Sequence, residues 1–208
     1  MYRTAIGTSP RSPAPGEAAF TVRKACMADI PALLALINGF AARGIMLSRT
    51  EFEMAENLRD FSVVQTAEGV FGCAALHFYT PKVAEVRSLA IAPGLQGSGA
   101  GKALVAALEA EAQAYGVEDV FAFTYIPEFF GRLGFTTIDR GELPLKAWKD
   151  CLRCPKFQCC DEVAVIRRIP HGHKGVDDTH SVGYDTNLIS EGDPAVLLPV
   201  LRNPRCNP

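Results

Sequence analysis

Glu85 and Arg87 stand two residues apart in the run AEVRSLAIA, residues 84–92. Side chains alternate along a strand, so the spacing predicts Glu85, Arg87 and Leu89 on one face and Val86, Ser88 and Ala90 on the other. A carboxylate held in that way can act as a general base toward an ammonium, directly or through water. The competing reading is a surface carboxylate paired with Arg87, since cross-sheet ion pairs are common. Arg87 itself suits a carboxylate-bearing substrate, because the guanidinium fork matches two oxygens at once.

Immediately after this run comes GLQGSGAGK, residues 94–102, with four glycines in eight residues. Glycines between an apolar strand-like run and a helix-like one are suited to holding phosphate: backbone N–H groups converge where no Cβ intervenes, and the helix N-terminus adds partial positive charge. A Walker loop would need glycine where Gln96 stands and Ser or Thr where Ala103 stands. A dinucleotide fingerprint starting at Gly97 would need glycine at Lys102. The spacing that fits is Q-x-x-G-x-G, carried by Gln96, Gly99 and Gly101, with Gly97, Ser98, Ala100 and Lys102 completing a pyrophosphate loop. Cys151, Cys154, Cys159 and Cys160 crowd into ten residues. Cys151, Cys154 and Cys160 could supply zinc thiolates, but a structural zinc site shows two well-separated pairs. Small apolar cysteines packing a loop beside the substrate mouth are the alternative, and no metal is assigned.

These groups need a scaffold. FTVRKA from Phe20 alternates like a strand, and Asp29 before Pro31 reads as the cap of a helix whose buried face is Ile30, Leu33, Leu34, Ile37 and Phe40, ended by Gly44. Ser48 and Glu51 have capping-box spacing and predict a second helix over 49–61. SVVQTA and VFGCAALHFY, joined at Glu68-Gly69, read as a β-hairpin, and AEVRSLAIA as the next strand. After the loop, Leu104, Leu108, Glu111 and Tyr115 mark a helix ending at Gly116. DVFAFTY is a strand, PEFFGRLGF a short helix ending on Gly134, and DEVAVIRRI a late strand. Strand, helices, three strands, helix, strand, helix, strand describes an α/β (α+β) fold: a mixed central sheet flanked by helices. We expect an arm over 1–19 too poor in large apolar groups to order itself, one domain over 20–169, and an irregular tail over 170–208.

The chain of 208 residues, 48% of them hydrophobic, can bury one full core. A formal charge of -2 gives no electrostatic case for nucleic acid or a membrane surface, so a small-molecule substrate is expected. No apolar run reaches a membrane span and the first residues lack a secretory core, which predicts a cytoplasmic protein with reduced thiols.

The loop spacing after LAIAP, together with FFGRLGF, resembles the GNAT N-acetyltransferase superfamily and its acetyl-CoA loop. GIMLSR, VFGCAALH, AEVRSLAIAP, FAFTYIPEFFGRLGF and LPLKAWKDCLRCPKFQCCDEVAV further resemble the short amino-acid N-acetyltransferases that make N-acetylglutamate in arginine biosynthesis. The resemblance covers about residues 20–169. It implies a GNAT fold, acetyl-CoA as cosubstrate, an amino-acid acceptor and, by analogy, a homodimer. It implies that backbone N–H groups of Leu89, Ala90 and Ile91 hold the reacting carbonyl, that Phe130 lies beside the CoA sulfur, and that Arg49, with Lys146 from the C-terminal signature, meets the amino acid. The family's tyrosine donor to the departing thiolate is replaced here by Phe129-Phe130; Tyr125 could substitute. Two alternatives stay open: a transferase acting on another small amine or a protein N-terminus, and a non-catalytic acyl-CoA-binding regulator.

Overall fold

A computed structural model describes residues 20–143, 152, 154–156 and 159–170. The expected arm, the expected tail beyond Pro170, Lys146 and Cys151 lie outside these. The strands are β1 (Thr21–Lys24), β2 (Phe61–Thr66), β3 (Gly69–Phe78), β4 (Val83–Ile91), β5 (Asp119–Thr124), β6 (Thr136–Thr137) and β7 (Val163–Arg168). The helices are α1 (Ile30–Ala41), α2 (Glu51–Glu56), α3 (Ala100–Ala114) and α4 (Pro127–Gly131). Only the two-residue β6 has no counterpart in the sequence reading. Among the described residues no helix is long and apolar enough to cross a membrane.

The sheet order is β1-β2-β3-β4-β5-β7-β6. All neighbours are antiparallel except β4 and β5, whose parallel pairing requires a crossover, supplied by α3. One face packs on α3 and α4 through Leu104, Val105, Leu108 and Phe130 against Ala84, Val86, Val120 and Val165. The other face carries Val63, Cys73, Ala75 and Ala90 under Leu33, Ile37 and Met54 of α1 and α2. Each large apolar side chain taken fully out of water there contributes about 2 kcal/mol.

Two helix starts differ from the sequence reading. Asp29 makes no side-chain cap bond to α1; its carboxylate instead accepts from Arg23 Nη1 and Nη2 at 2.7 and 2.8 Å and from the Cys26 N–H at 2.8 Å. A charged fork outcompetes the N–H groups of the helix for the same oxygens. The capping box of α2 is Thr50 with Glu53, two residues beyond Ser48 and Glu51: Thr50 Oγ1 accepts from Glu53 N–H at 3.2 Å, and Glu53 Oε2 accepts from Thr50 N–H at 2.9 Å. Arg49 therefore precedes the helix and is not in its first turn.

The alternation predicted along β4 breaks in the middle. Ala75 pairs with Arg87 and Cys73 with Ala90, so Ser88 and Leu89 together oppose Ala74. Two residues against one is a β-bulge, and Ser88 takes the left-handed backbone that this demands, φ 54°. Glu85 and Arg87 remain together ahead of it. Beyond it the faces exchange: Ala90 joins Cys73 and Ala75 in the α1/α2 core, while Leu89 and Ile91 pack toward α3, where Val86 already lies.

Candidate active site

Parallel pairing of β4 with β5 runs over Val83↔Asp119, Ala84↔Val120 and Glu85↔Phe121. Past that point residues 85–91 of β4 and 123–126 at the end of β5 form opposite walls of a cleft of about 1540 Å³. Divergent strand ends next to a parallel crossover are where open α/β sheets place ligands. The glycine loop, the start of α3, α4 and the segment before α2 close the sides, and Cys154, Lys156, Cys160 and Glu162 lie at the far lip.

Glu85 occupies the fork itself, the last paired position. It is only 8% exposed, so the surface-carboxylate reading does not describe it. The Tyr79 hydroxyl donates to its Oε2 at 2.7 Å. Arg87 also lines the cleft, and its Nη2 lies 3.1 Å from His77 Nδ1, 3.5 Å from Asn57 Oδ1 and 3.8 Å from Asp60 Oδ2. Asp60 Oδ2 is in turn 2.7 Å from His77 Nδ1. Tyr79, His77, Asp60 and Asn57 are not among the residues singled out from sequence. Their signal is a register, His77↔Glu85 across β3 and β4, which local periodicity does not contain.

Arg49 is brought to the same cleft from the other side. Asn38 of α1 fixes its backbone twice, donating to the Arg49 carbonyl at 3.0 Å and accepting from its N–H at 2.9 Å. The guanidinium then reaches the bulge, with Nη2 3.3 Å and Nε 3.4 Å from Ser88 Oγ, and stands 5.9 Å above the Phe61 ring. The bulge thus aims one side chain at the arginine and sets the backbone of Leu89, Ala90 and Ile91 along the cleft wall.

In the loop, Gly97 and Gly99 take φ 81° and 89°, which a side chain would strain. Ser98 Oγ donates to the Leu95 carbonyl at 2.7 Å and receives the Ala100 N–H at 3.4 Å. Gln96 donates to the Ile91 carbonyl at 3.0 Å, tying loop to strand. Gln96 and Ser98 therefore hold the loop's shape. The first α3 backbone bond runs from Ala103 N–H to the Gly99 carbonyl; the N–H groups of Gly101 and Lys102 precede it at the positive end of the helix, as an anion site needs.

Residues 40–135 match the model of the acetyltransferase (GNAT) family. Over 148 residues the chain is 40% identical to an uncharacterized N-acetyltransferase of Chlorobaculum tepidum, covering 71% of this chain and 96% of that one. The chain belongs to the GNAT acetyltransferase family. As a GNAT enzyme it is an acyltransferase with acetyl-CoA as cosubstrate. It is 34% identical over 121 residues to an amino-acid acetyltransferase of Mycobacterium tuberculosis, 57% of this chain and 69% of that one. Among solved structures, N-acetylglutamate synthase of Neisseria gonorrhoeae with coenzyme A and N-acetyl-glutamate superposes with a TM-score of 0.68 at 29% identity. That match takes in 74% of this chain and 36% of the synthase, so the GNAT chain spans about a third of that protein.

The remaining GNAT residues divide. Phe130 lines the cleft but is 3% exposed, packed edge-on between Phe129 and Phe135 with centroids 5.2 Å away on each side. The ring against the loop is Phe129, whose Cζ would meet a Cβ on Gly101 at 3.4 Å. Tyr125 lines the cleft half-buried; burial pushes its phenol up, against the pull of Lys156, whose Nζ donates to the hydroxyl at 3.1 Å. Burial likewise pushes the Glu162 carboxyl up, opposed by Arg140. Cys154 and Cys160 are free thiols and Cys159 is disulfide-bonded, which corrects the expectation of reduced thiols at that position. Among the described residues no group of three His, Cys, Asp or Glu could hold a metal.

Proposed function

We propose that this GNAT enzyme moves the acetyl group of acetyl-CoA to the α-amino group of a small amino acid, L-glutamate, the step that opens arginine biosynthesis. One observation carries the acceptor class: Arg49, braced by Asn38, extends across the cleft to Ser88 on the wall bearing Glu85 and Arg87. A guanidinium so placed suits the α-carboxylate of an acceptor whose amine lies toward the fork. The amino-acid acetyltransferase and N-acetylglutamate synthase relatives support the same reading.

In this reading the amine and thioester meet in one ternary complex. Glu85 takes one proton from the ammonium, the amine nitrogen attacks the thioester carbon, and the C–S bond breaks to release CoA thiolate, while the adduct's second N–H proton leaves to water to give the neutral N-acetyl product. The backbone along Leu89–Ile91 stabilises the carbonyl oxygen as charge develops, each well-aimed N–H contributing about 3 kcal/mol. Tyr125, kept protonated, donates its proton to the thiolate and regains one from water. The test is thiol release from acetyl-CoA across a panel of amines. Glutamate-dependent release is expected; release with polyamines alone would overturn the acceptor, and tight CoA binding with no release from any amine would overturn catalysis.

A further inference from the structure

Tyr79 lies just past β3 and nothing in its sequence context marks it, yet its hydroxyl is the donor to Glu85 Oε2 at 2.7 Å. Its ring is wedged: His77 stands edge-on at 5.0 Å on one side and Phe121 tilts against it at 5.7 Å on the other. Phe121 is the β5 residue registered with Glu85, and His77 the β3 residue registered with it. Both neighbours of Glu85 in the sheet thus hold the tyrosine that holds Glu85. The turn after it is pinned as well, with the Tyr79 and Thr80 N–H groups donating to the Val83 carbonyl at 3.0 and 3.2 Å.

We propose that Tyr79 is a positioning residue for Glu85, fixing its Oε2 and so the orientation of the carboxylate at the fork. This rests on Glu85 acting as the general base. A phenol O–H aimed at a carboxylate also favours its charged form. Among the described residues, the charged and titratable groups nearest Glu85 along the sheet are His77 of β3, with Asp60 on its ring, Tyr79 just past β3 and Arg87 of β4, while β5 pairs Phe121 with it; the cleft it lines also carries Arg49, Tyr125, Arg140, Lys156 and Glu162. Removing the phenol O–H leaves all the others in place, so the loss of one donor to the charged form raises the pH at which Glu85 becomes a base.

The experiment compares pH profiles of kcat/KM for the wild type, Glu85→Gln and Tyr79→Phe, with acetyl-CoA and the best acceptor of the panel. Glu85→Gln is expected to remove the acidic limb. Tyr79→Phe is expected to move that limb alkaline by on the order of one pH unit, with KM for acetyl-CoA unchanged. A limb unmoved in Tyr79→Phe but absent in Glu85→Gln overturns the role of Tyr79 and leaves the base standing. A limb that survives in Glu85→Gln overturns both. A carbon-13 NMR titration of the Glu85 carboxyl in wild type and Tyr79→Phe reads the same shift without catalysis; coincident titrations would overturn the proposal.

Discussion

Arg49 Nη2 lies 3.3 Å from Ser88 Oγ, although the two residues are 39 apart in the chain. One end of the pair is fixed by a side-chain clamp from α1, the other by a bulge in β4. Replacing Arg49 by alanine removes the charge-assisted fork proposed for the acceptor carboxylate, worth about 1.5–3 kcal/mol, so KM for the acceptor should rise on the order of 10- to 100-fold. KM for acetyl-CoA should stay within about twofold of wild type. Steady-state kinetics with each substrate varied in turn checks this, and equal rises in both constants would contradict the assignment.

Gly99 takes φ 89° at the head of α3 with nothing near the Cβ it lacks. Alanine there meets no neighbour, and its cost is conformational, about 1–2 kcal/mol. Gly99→Ala should lower the melting temperature by a few degrees and weaken CoA binding, because relaxing φ turns the loop N–H groups away from their common target. Calorimetry of the variant with and without CoA separates the two effects.

Arg23 and the Cys26 N–H hold the Asp29 carboxyl far below the usual carboxylate range. A pKa lower in the folded than in the unfolded chain stabilises above the unfolded value, about 4, and that stability is lost as pH falls through the folded value. Asp29→Asn should therefore be less stable than wild type at pH 7, and the gap should close progressively below about pH 4. Thermal melts across pH 2–7 measure it; a gap that widens on acidification would refute the sign.

Because burial pushes the Tyr125 phenol up, it stays protonated through neutral pH and can donate to a thiolate. The kcat profile should show no alkaline limb from this group below about pH 10. A thiolate is a tolerable leaving group on its own, so Tyr125→Phe should lower kcat by about tenfold at most. A much larger fall would mean the hydroxyl also binds substrate.

Cys73 is fully buried beneath the bulge, where its Sγ meets the Ser88 carbonyl at 3.5 Å and its thiol is pushed up to about 12 by burial. Cys26 is exposed. Native alkylation followed by mass spectrometry should label Cys26 and spare Cys73 until the chain unfolds.

The elements were legible because each carries its own period or cap: the apolar face of α1, the strand-loop-helix around the glycines and the turn at Glu68-Gly69 lie within a few residues of their causes. What sequence could not supply was pairing. The bulge at Ser88 exists because β4 opposes Ala74 with two residues, and no alternation in β4 alone reveals it. Leu89 and Ala90 accordingly stand on the faces opposite those the period predicts. Asp29 and Thr50 show competition: both are good caps, and Arg23 and Glu53 decide where each carboxylate or hydroxyl is used. Glu85 and Arg49 were legible as residue types; Tyr79, His77 and Asn38, which brace or surround them, were not.

Only three residue pairs join β4 to β5. Mechanically this is a seam: the strands on either side are each sewn to their outer neighbours over longer stretches, Asp119–Thr124 of β5 along β7 and Phe78–Gly72 of β3 along β4. A molecule that touches both lips of the cleft acts as a cross-link over that seam, so the same short stitch that makes room for substrates makes the enzyme's resistance to unfolding depend on being occupied.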